Sequence, residues 1–373
     1  MLTIMPVSIR SFAKINLGLR IGPSRPDGFH ELRTVYQTIA LHDVVRVSLE
    51  RGNGIEIRCQ DPRVPGDESN TCYRIVERAM ARLQARGRVV VEIEKQLPVQ
   101  GGLGGASGNA VAALLGLEAL LKKQLSETER LGIAAEVGSD LPLFLIGGTV
   151  LGVGRGEEVY PVVDLPASLC VVALPGVGVS TAAAFADWDL LMSRPGPESE
   201  ASAGPVGTNE AGSRGSGAGS STKGRGQAPR RLTGDGAAGT SKLTVADPSD
   251  RMKLHGREFS AWLRSASGVP VSKSRGRAET PLLDLVRTGI ENDFERVVFP
   301  KYPELREVKR LLQRAGAFYA SLSGSGSATY GLFASRSTAE KAVARLAVAD
   351  VAAVVTRTLT RRQYWKRFQV SSF

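Results

Sequence analysis

The feature that most limits how this chain can fold is a glycine-rich stretch at residues 97–115, LPVQGGLGGASGNAVAALL. Four glycines stand within the five positions from Gly101 to Gly105, between a β-branched segment at 89–98 and an apolar run that predicts a helix to about Lys122. Glycines let the backbone point successive N–H groups at one anion, and the N-terminus of the following helix adds partial positive charge. The pattern is typical of a phosphate site, and the simpler alternative is a tight turn between strand and helix.

The glycine stretch does not match either of two common nucleotide-binding loops. It lacks the G-x-x-x-x-G-K-[ST] pattern of a P-loop, and it lacks the G-x-G-x-x-G pattern of a dinucleotide-binding fold. Glycine content alone therefore does not decide between phosphate binding and a tight turn, and other segments of the chain must be considered.

Composition excludes several classes of protein. The chain has 373 residues, enough for two lobes, and no run of 18 apolar residues predicts a membrane span. Because the N-terminus has no secretion signal and the cysteines are few and scattered, we expect a cytoplasmic protein without a disulfide framework. No cysteine or histidine has metal-ligand spacing, so no zinc site is expected. These residues are Cys59, Cys72, Cys170, His30, His42 and His255.

An abrupt change in composition marks residues 193–242. This segment has no aromatic residue and no isoleucine, and its only large aliphatic residues are Val206 and Leu232. Because it cannot bury enough apolar surface to offset the entropy of ordering, we expect a disordered insertion at 193–277, which could contain a short helix at 252–265. A passive linker is the main interpretation, and a tether for nucleic acid is the alternative.

The segments before the insertion carry patterns of both strands and helices. Alternating apolar residues at 7–21 and β-branched residues at 34–50 predict strands. Apolar residues at helical spacing predict a helix at 70–86. Ser126 and Glu129 stand three residues apart, which predicts a capping box at the start of another helix.

The second half of the chain alternates between the two patterns. A strand is predicted at 168–176 and a helix at 305–316, and the basic, aromatic end at 360–370 is interpreted as a peripheral tail. Strands and helices mixed in this way predict an α+β protein in two lobes, with domains at 1–165 and 166–373.

Four motifs follow one another in a specific order. They are FAKINLGLRIGPSRPDGFHELRTVYQTI (12–39), PVQGGLGGASGNA (98–110), VGSDLPLFLIGG (137–148) and LSGSGSATYGLF (322–333). Together they resemble the GHMP kinase superfamily, over nearly all of the chain except about 193–278. Within the first motif, K-I-N-L-x-L and R-P-D-G-F-H look like the branch that acts on 4-diphosphocytidyl-2-C-methyl-D-erythritol (the cytidyl alcohol), in the non-mevalonate isoprenoid pathway.

This resemblance implies both a fold and a reaction. The fold is a two-lobed α+β GHMP kinase fold, with a ribosomal-S5-like N-terminal lobe and a ferredoxin-like C-terminal lobe. The reaction is transfer of the γ-phosphoryl group of ATP to the 2-hydroxyl of the cytidyl alcohol, with Mg²⁺ to share the phosphate charge.

Two residues are expected to carry the chemistry. Asp140 could accept the proton of an attacking hydroxyl as general base, and the alternative is an aspartate that caps a helix or turn. Lys14 alternates with Phe12 and Asn16 on a predicted strand, where an inward-facing lysine needs an acidic or phosphate partner. The alternative is an exposed lysine. The resemblance makes Asp140 the base, and Lys14 its partner and a stabiliser of the transferring phosphate.

The resemblance also makes the glycine stretch the phosphate loop for ATP, with Lys95 as a charge near the nucleotide. The superfamily often has more glycine and serine here, so Ala106 and Gly108 are departures. Ser107 is expected to cap the helix or to help hold Mg²⁺. The predicted nucleotide-binding residues are Lys95, Pro98, Val99, Gln100, Gly101, Gly102, Leu103, Gly104, Gly105, Ala106, Ser107, Gly108 and Asn109.

A cytosine base requires a flat apolar face and directional hydrogen-bonding groups at its edge. By resemblance, Phe29 and Phe185 stack on either side of the ring and His30 bonds its edge. Asn16 and Thr181 reach the erythritol or phosphate side of the substrate. The alternatives are core packing for the two phenylalanines and a structural role for His30.

Two other functions stay open on the sequence. One is a GHMP kinase with another substrate, namely homoserine, mevalonate or a sugar. The segment Arg25–His30 argues against this alternative, because it suits a cytidine pocket. The other is an RNA-binding module, suggested by the net charge of +11 and by the S5-like half of such folds. No membrane partner is expected, and the sequence is compatible with a monomer or a homodimer.

Overall fold

A computed structural model describes residues 5–193 and 291–368. The low-complexity insertion predicted at 193–277, apart from its first residue, and the helix predicted at 252–265 lie outside the described residues. The described residues 5–192 and 291–368 belong to one compact unit. The domain boundary between residues 165 and 166 stays a prediction.

The larger sheet has six strands and forms the first lobe. Its longest strand, β2, pairs with β1 along one edge and with both β4 and β5 along the other. β3 lies parallel to β4, and the remaining pairs of this sheet are antiparallel. The strands are β1 (Val7–Ser24), β2 (His30–Glu50), β3 (Gly54–Cys59), β4 (Arg88–Glu94), β5 (Thr149–Val153) and β6 (Glu158–Pro161).

Four helices of the first lobe build its core against the sheet. Val111, Leu114 and Leu117 of α2 are fully buried, which explains why this helix is apolar on all sides. The capping box predicted for Ser126 and Glu129 is confirmed at the start of α3. The helices are α1 (Thr71–Leu83), α2 (Gly105–Leu121), α3 (Glu127–Val137) and α4 (Leu141–Ile146).

The second lobe has an antiparallel sheet of four strands in the order β10-β7-β9-β8. Leu305, Val308 and Leu312 are buried at helical spacing along one side of α7 (Pro303–Arg314). The strands are β7 (Leu169–Leu174), β8 (Tyr319–Leu322), β9 (Thr329–Phe333) and β10 (Ala352–Arg357). The other helices of the described residues are α5 (Thr181–Met192), α6 (Glu295–Lys301), α7 (Pro303–Arg314), α8 (Arg336–Val348) and α9 (Arg361–Phe368).

Strand β1 is held from both lobes. The Tyr330 hydroxyl donates to the carbonyl of Asn16 at 2.7 Å, and the Tyr319 hydroxyl donates to the carbonyl of Leu17 at 2.6 Å. An apolar cluster that both sheets share lies beside these bonds; it includes Ala13, Ile15, Leu17, Val35, Ile39, Cys170, Val172, Tyr330 and Leu332. The segment that carries Lys14 is therefore fixed at the junction of the lobes.

The structure corrects the predicted end of one strand. The strand predicted at 89–98 ends at Glu94, because the N–H groups of Gln96 and Leu97 donate to Asp43 instead of to a neighbouring strand. Within the described residues, no helix has the length and apolar character needed to cross a bilayer.

The end of the chain is part of the core. The segment at 360–370 was interpreted as a peripheral tail, but Tyr364 and Phe368 of α9 are buried in the core of the first lobe. These two aromatic residues stand four positions apart, so they share one face of the helix. The Tyr364 hydroxyl also donates to the carbonyl of Phe144 at 2.7 Å, which fastens α9 to α4.

Candidate active site

Two glycine turns meet at the junction of the lobes. Gly102 has a left-handed φ of +72°, and a Cβ atom there would collide with the Ser323 carbonyl and lie 2.9 Å from the Gly326 carbonyl oxygen. Ser323 Oγ donates to the Gly102 carbonyl at 2.9 Å, and the Ala328 N–H donates to the Gly101 carbonyl at 3.1 Å. The glycine stretch is therefore a tight turn that the second lobe approaches closely.

Lys14 lies between these two turns. Its backbone N–H donates to the carbonyl of Leu103 at 2.9 Å. A Cβ atom on Gly104 would lie 3.0 Å from Lys14 Cγ, and one on Gly324 would lie 3.5 Å from Lys14 Nζ. The lysine side chain thus runs along the first turn and ends beside the second.

The ammonium group of Lys14 is buried with two polar partners. Its Nζ atom is 3.3 Å from Asp140 Oδ2 and donates to Asn16 Oδ1 at 2.8 Å. Asn16 in turn donates to Thr34 Oγ1 at 2.7 Å, so both ends of its amide are engaged. With only 3 % of Lys14 exposed, the alternative of an exposed strand lysine is wrong.

Asp140 stands at the N-cap position of α4, but its side chain makes no capping hydrogen bond. Instead, Tyr36 donates its hydroxyl to Oδ1 at 2.9 Å while Lys14 faces Oδ2. Burial and the Asp140 carboxylate raise the pKa of Tyr36 well above its usual value, so the phenol stays a donor. The Asp140 side chain is one-third exposed, which leaves it open to a ligand.

A cavity of about 310 Å³ opens on the other side of the first glycine turn. It is bounded by the N-termini of both α1 and α2, whose partial positive charges suit an anion. Twelve of the thirteen predicted nucleotide-binding residues line it: Lys95, Pro98, Val99, Gln100, Gly101, Gly102, Leu103, Gly104, Gly105, Ala106, Ser107 and Asn109.

The charge of Lys95 is matched by a buried carboxylate. Its Nζ atom forms an ion pair with Asp43, which is fully buried and also accepts from Asn109 Nδ2 at 3.0 Å. Asn109 Oδ1 is buried without a hydrogen-bond partner in the described part of the chain. Asp43 therefore joins Lys95, which follows β4, to Asn109 in the first turns of α2, and Lys95 lines the cavity.

The structure changes the interpretation of Ser107 and Gly108. The N-cap of α2 is Gly104 in a left-handed conformation, so Ser107 lies inside the first turn and is not the cap. Gly108 faces away from the cavity, because a Cβ there would lie 2.8 Å from Ser11 Oγ and 3.0 Å from the Phe12 carbonyl oxygen. Glycine at position 108 thus allows α2 to pack closely on β1, and the missing side chain does not change the cavity wall.

The second glycine turn leads to α5. Thr181 Oγ1, at the first position of that helix, lies 2.8 Å from Ser325 Oγ. Asn292 donates to the carbonyls of Leu322 and Gly324 at 2.9 and 2.7 Å, which holds the same turn from the opposite side. Thr181 is therefore joined to the turn that Lys14 approaches.

Further along α5, Phe185 stacks on His30. Their ring centroids are 4.9 Å apart with an interplanar angle of 10°, and Asp189 Oδ1 lies 2.7 Å from His30 Nε2. Phe29 is half exposed, which excludes core packing for it, and the Arg155 guanidinium lies 4.9 Å from its ring centroid. The structure thus joins His30 to Phe185 directly, and the stacking of a base between Phe29 and Phe185 stays a prediction.

Sequence reasoning missed several residues of this region. Tyr36 and Asp189 each engage a predicted functional side chain, and Asp43 holds Lys95. Asn70 caps α1 by accepting the N–H of Cys72 at 2.8 Å, and this helix end forms part of the cavity wall. The Asn–Thr–Cys start of the predicted helix was an available N-cap signal, whereas the others depend on strand register or on contacts far apart in sequence.

The two lobes, the paired glycine turns and the lysine–aspartate pair define a small-molecule kinase of the GHMP class. A family model described as GHMP kinases N terminal domain matches residues 70–148, and one described as GHMP kinases C terminal matches residues 279–350.

Similar proteins identify the family within the GHMP class to which the chain belongs. The chain is 33 % identical over 335 residues to 4-diphosphocytidyl-2-C-methyl-D-erythritol kinase of Solibacter usitatus, covering 90 % of this chain and 84 % of the relative. A crystal structure of 4-(cytidine 5'-diphospho)-2C-methyl-D-erythritol kinase is 25 % identical, with a TM-score of 0.62 over 94 % of this chain and 98 % of the other. The chain belongs to the 4-diphosphocytidyl-2-C-methyl-D-erythritol kinase family.

Homoserine kinase from Cytophaga hutchinsonii has the same fold. Its crystal structure is 18 % identical with a TM-score of 0.62, covering 95 % of each chain. At this identity the likeness concerns the fold alone, so the fold does not choose between substrates.

Proposed function

We propose that this chain transfers the γ-phosphoryl group of ATP to the 2-hydroxyl of the cytidyl alcohol, giving ADP and the 2-phospho product. The observation that carries the proposal is the Lys14–Asp140 pair, 3.3 Å apart and buried on the lysine side, where the two glycine turns meet. Membership of the family supports the choice of substrate. A cytoplasmic location and the monomeric or dimeric state stay predictions.

The chemistry assigns a separate task to each charged group. The substrate hydroxyl oxygen attacks the γ-phosphorus while its proton passes to Asp140, and ADP leaves with the electron pair of the broken P–O bond. Lys14 donates to Asn16 and faces the Asp140 carboxylate at 3.3 Å, and a further N–H of its ammonium group would bond an oxygen of the transferring phosphate. The N–H groups at the start of α2 bind the remaining phosphates.

We infer that Mg²⁺ accompanies the nucleotide in the cavity. Among the described residues no cluster of three or more histidine, cysteine or carboxylate side chains could hold a metal. Mg²⁺ commonly binds to phosphate oxygens and water with one or two protein groups, and the position of the half-buried Ser107 in the cavity wall supports its choice as such a group. When bound with ATP, the ion would share the charge of the phosphates.

The contact between His30 and Asp189 determines how His30 can hydrogen-bond to the cytosine base. A carboxylate only accepts hydrogen bonds, so His30 Nε2 must carry the proton that points to Asp189. In the neutral ring, Nδ1 is then an acceptor, and it has no hydrogen-bond partner among the described residues. Cytosine presents an amino group at its edge where uracil presents a carbonyl, so this histidine selects cytidine.

The direct test is a coupled ADP-release assay with purified protein, ATP and Mg²⁺. We expect turnover with the cytidyl alcohol and none with homoserine, mevalonate or galactose, and EDTA should abolish it. Turnover of homoserine without turnover of the cytidyl alcohol would reject the substrate. Salt-sensitive binding of RNA without any kinase activity would favour the RNA-binding alternative.

Replacing His30 with alanine should reduce the choice of base. We expect kcat/KM for the cytidyl alcohol to fall by about tenfold, because one hydrogen bond and a stacked ring are lost. Activity on the corresponding uridyl alcohol should change less, and the KM for ATP should not change. The ratio of kcat/KM values for the two alcohols is the measurement.

His42→Ala provides the matched control for that variant. His42 is a partly buried histidine of β2 whose Nδ1 lies 2.9 Å from the Ala40 carbonyl, with a ring neighbour in Phe12. It should leave the cytidine-to-uridine ratio unchanged. An unchanged ratio in His30→Ala as well would show that His30 does not contact the base edge.

A further inference from the structure

The proton acceptor proposed above has a second donor besides Lys14. We propose that Tyr36 is a positioning residue that fixes the carboxylate of Asp140 for catalysis, and this inference depends on the proposed function. The Tyr36 hydroxyl donates to Asp140 Oδ1 at 2.9 Å, on the opposite oxygen from the one that faces Lys14. A carboxylate held at both oxygens by groups from two strands cannot rotate freely about its χ2 bond.

The phenol occupies a slot that two glycines make. Tyr36 is 2 % exposed, and a Cβ atom on Gly152 would lie 2.5 Å from its ring. A Cβ atom on Gly156, at the turn between β5 and β6, would lie 2.5 Å from its hydroxyl oxygen. The ring and the hydroxyl therefore have no room to move, so the hydrogen bond to Asp140 has a fixed direction.

The charged groups around the phenol favour its protonated form. Burial raises the pKa of Tyr36 first, and the negative charges of Asp140 and Glu157 raise it further, while Lys14 Nζ lies 5.6 Å from the ring centroid. Arg155 forms an ion pair with Glu157 at 3.0 Å. Tyr36 is thus a hydrogen-bond donor throughout the working pH range, and it does not itself take up the substrate proton.

Replacing Tyr36 with phenylalanine tests this role. The ring stays and only the donor is lost, so we expect kcat to fall about tenfold, the loss typical of a hydrogen bond to a charged group, with both KM values unchanged. Tyr364→Phe is the matched control, because this tyrosine is equally buried and donates to the Phe144 carbonyl. It should retain the wild-type kcat.

A double-mutant cycle with Asp140→Asn separates the possible outcomes. If Tyr36 acts through Asp140, Tyr36→Phe should cause no further loss of kcat when Asp140 is already asparagine. Three results would overturn the inference. They are a wild-type kcat in Tyr36→Phe, raised KM values in that variant, and an equal tenfold loss of kcat from Tyr36→Phe in the wild type and in Asp140→Asn. Full activity of Asp140→Asn alone would instead reject the proposed function.

A second variant keeps the test valid if Tyr36→Phe fails to fold. Gly156→Ala places a methyl group against the Tyr36 hydroxyl and should reproduce the loss of kcat. Its control is Gly154→Ala, also at positive φ, where the nearest atoms to the new methyl group belong to the side chains of Glu157 and Glu158. Equal kcat values for these two variants would contradict the role of Tyr36.

Discussion

Replacing Asp140 with asparagine should lower kcat by about 10²–10⁴-fold, the usual contribution of a positioned general base. The amide cannot accept a proton from the attacking hydroxyl, although its shape is almost the same. The KM for ATP should change little, because the cavity at the first glycine turn does not include Asp140. Steady-state kinetics with both substrates varied would measure the two effects separately.

A loss of activity in Asp140→Asn must be distinguished from a loss of folding. Asp164→Asn is a suitable control, since this aspartate accepts the N–H groups of Thr149 and Arg361 at 3.1 and 2.7 Å, in structural contacts of the first lobe. It should lower the free energy of unfolding but keep the kcat of the folded fraction. If Asp140→Asn retained kcat within about fivefold, an effect well below that of a general base, Asp140 would not be the proton acceptor.

Much of the fold could be predicted because its signals are local. The capping box of Ser126 and Glu129, the helix after the glycine stretch and the strands on both sides of the insertion depend on residues close in sequence. The end of β4 was misplaced because the competing partner, Asp43, is far away in sequence. Pro98 offered a plausible local stop signal, but the tertiary hydrogen bonds ended the strand earlier.

The contacts around Lys14 depend on the register of two long strands. Alternation placed Lys14 and Asn16 on one face of β1, but only the pairing with β2 puts Tyr36 opposite Asn16 and Thr38 opposite Lys14. That pairing also shifts register between Asn16 and Gly18, which no periodic pattern reveals. The sequence therefore could indicate the lysine and the aspartate but not the tyrosine that holds the aspartate.

The resemblance to the GHMP kinase superfamily indicated the candidate site residues, and the structure shows which groups they contact. Ser107 was expected to cap α2 or to help hold Mg²⁺, and the cap position is taken by a left-handed Gly104, where a side chain would meet Phe144 and Lys14. Lys95 was expected as a charge near the nucleotide; it lines the cavity, and its ammonium group pairs with the buried carboxylate of Asp43. Neither the cap nor this ion pair follows from the residues nearby in sequence, since propensities describe neighbours along the chain and not those across the fold.

Of the two interpretations that its sequence left open, the glycine stretch meets the tight turn, and phosphate binding stays a prediction. It is a tight turn, and its glycines also allow the second lobe to approach it. Gly102→Ala should therefore be among the most damaging small substitutions in the chain. It imposes a side chain at φ +72° and pushes a methyl group into the carbonyls of Ser323 and Gly326. We expect the free energy of unfolding to fall by about 2–4 kcal/mol, from backbone strain together with overpacking.

Activity of Gly102→Ala should fall further than stability alone explains. Lys14 is fixed between the two turns, so separating them by even about 1 Å moves the ammonium group away from the phosphate and could lower kcat/KM by about 10²-fold. Denaturant unfolding and steady-state kinetics at a temperature where the variant is folded would measure both effects.

Two glycine-to-alanine controls separate the causes of that loss. Gly54→Ala has a positive φ of +113° with nothing within 4 Å of the new methyl group, so it measures backbone strain alone. Gly132→Ala lies inside α3 with open space around it and should be neutral or stabilising by up to about 1 kcal/mol. If Gly102→Ala resembled Gly54→Ala in both stability and kinetics, contact between the two turns would not be what holds Lys14 in place.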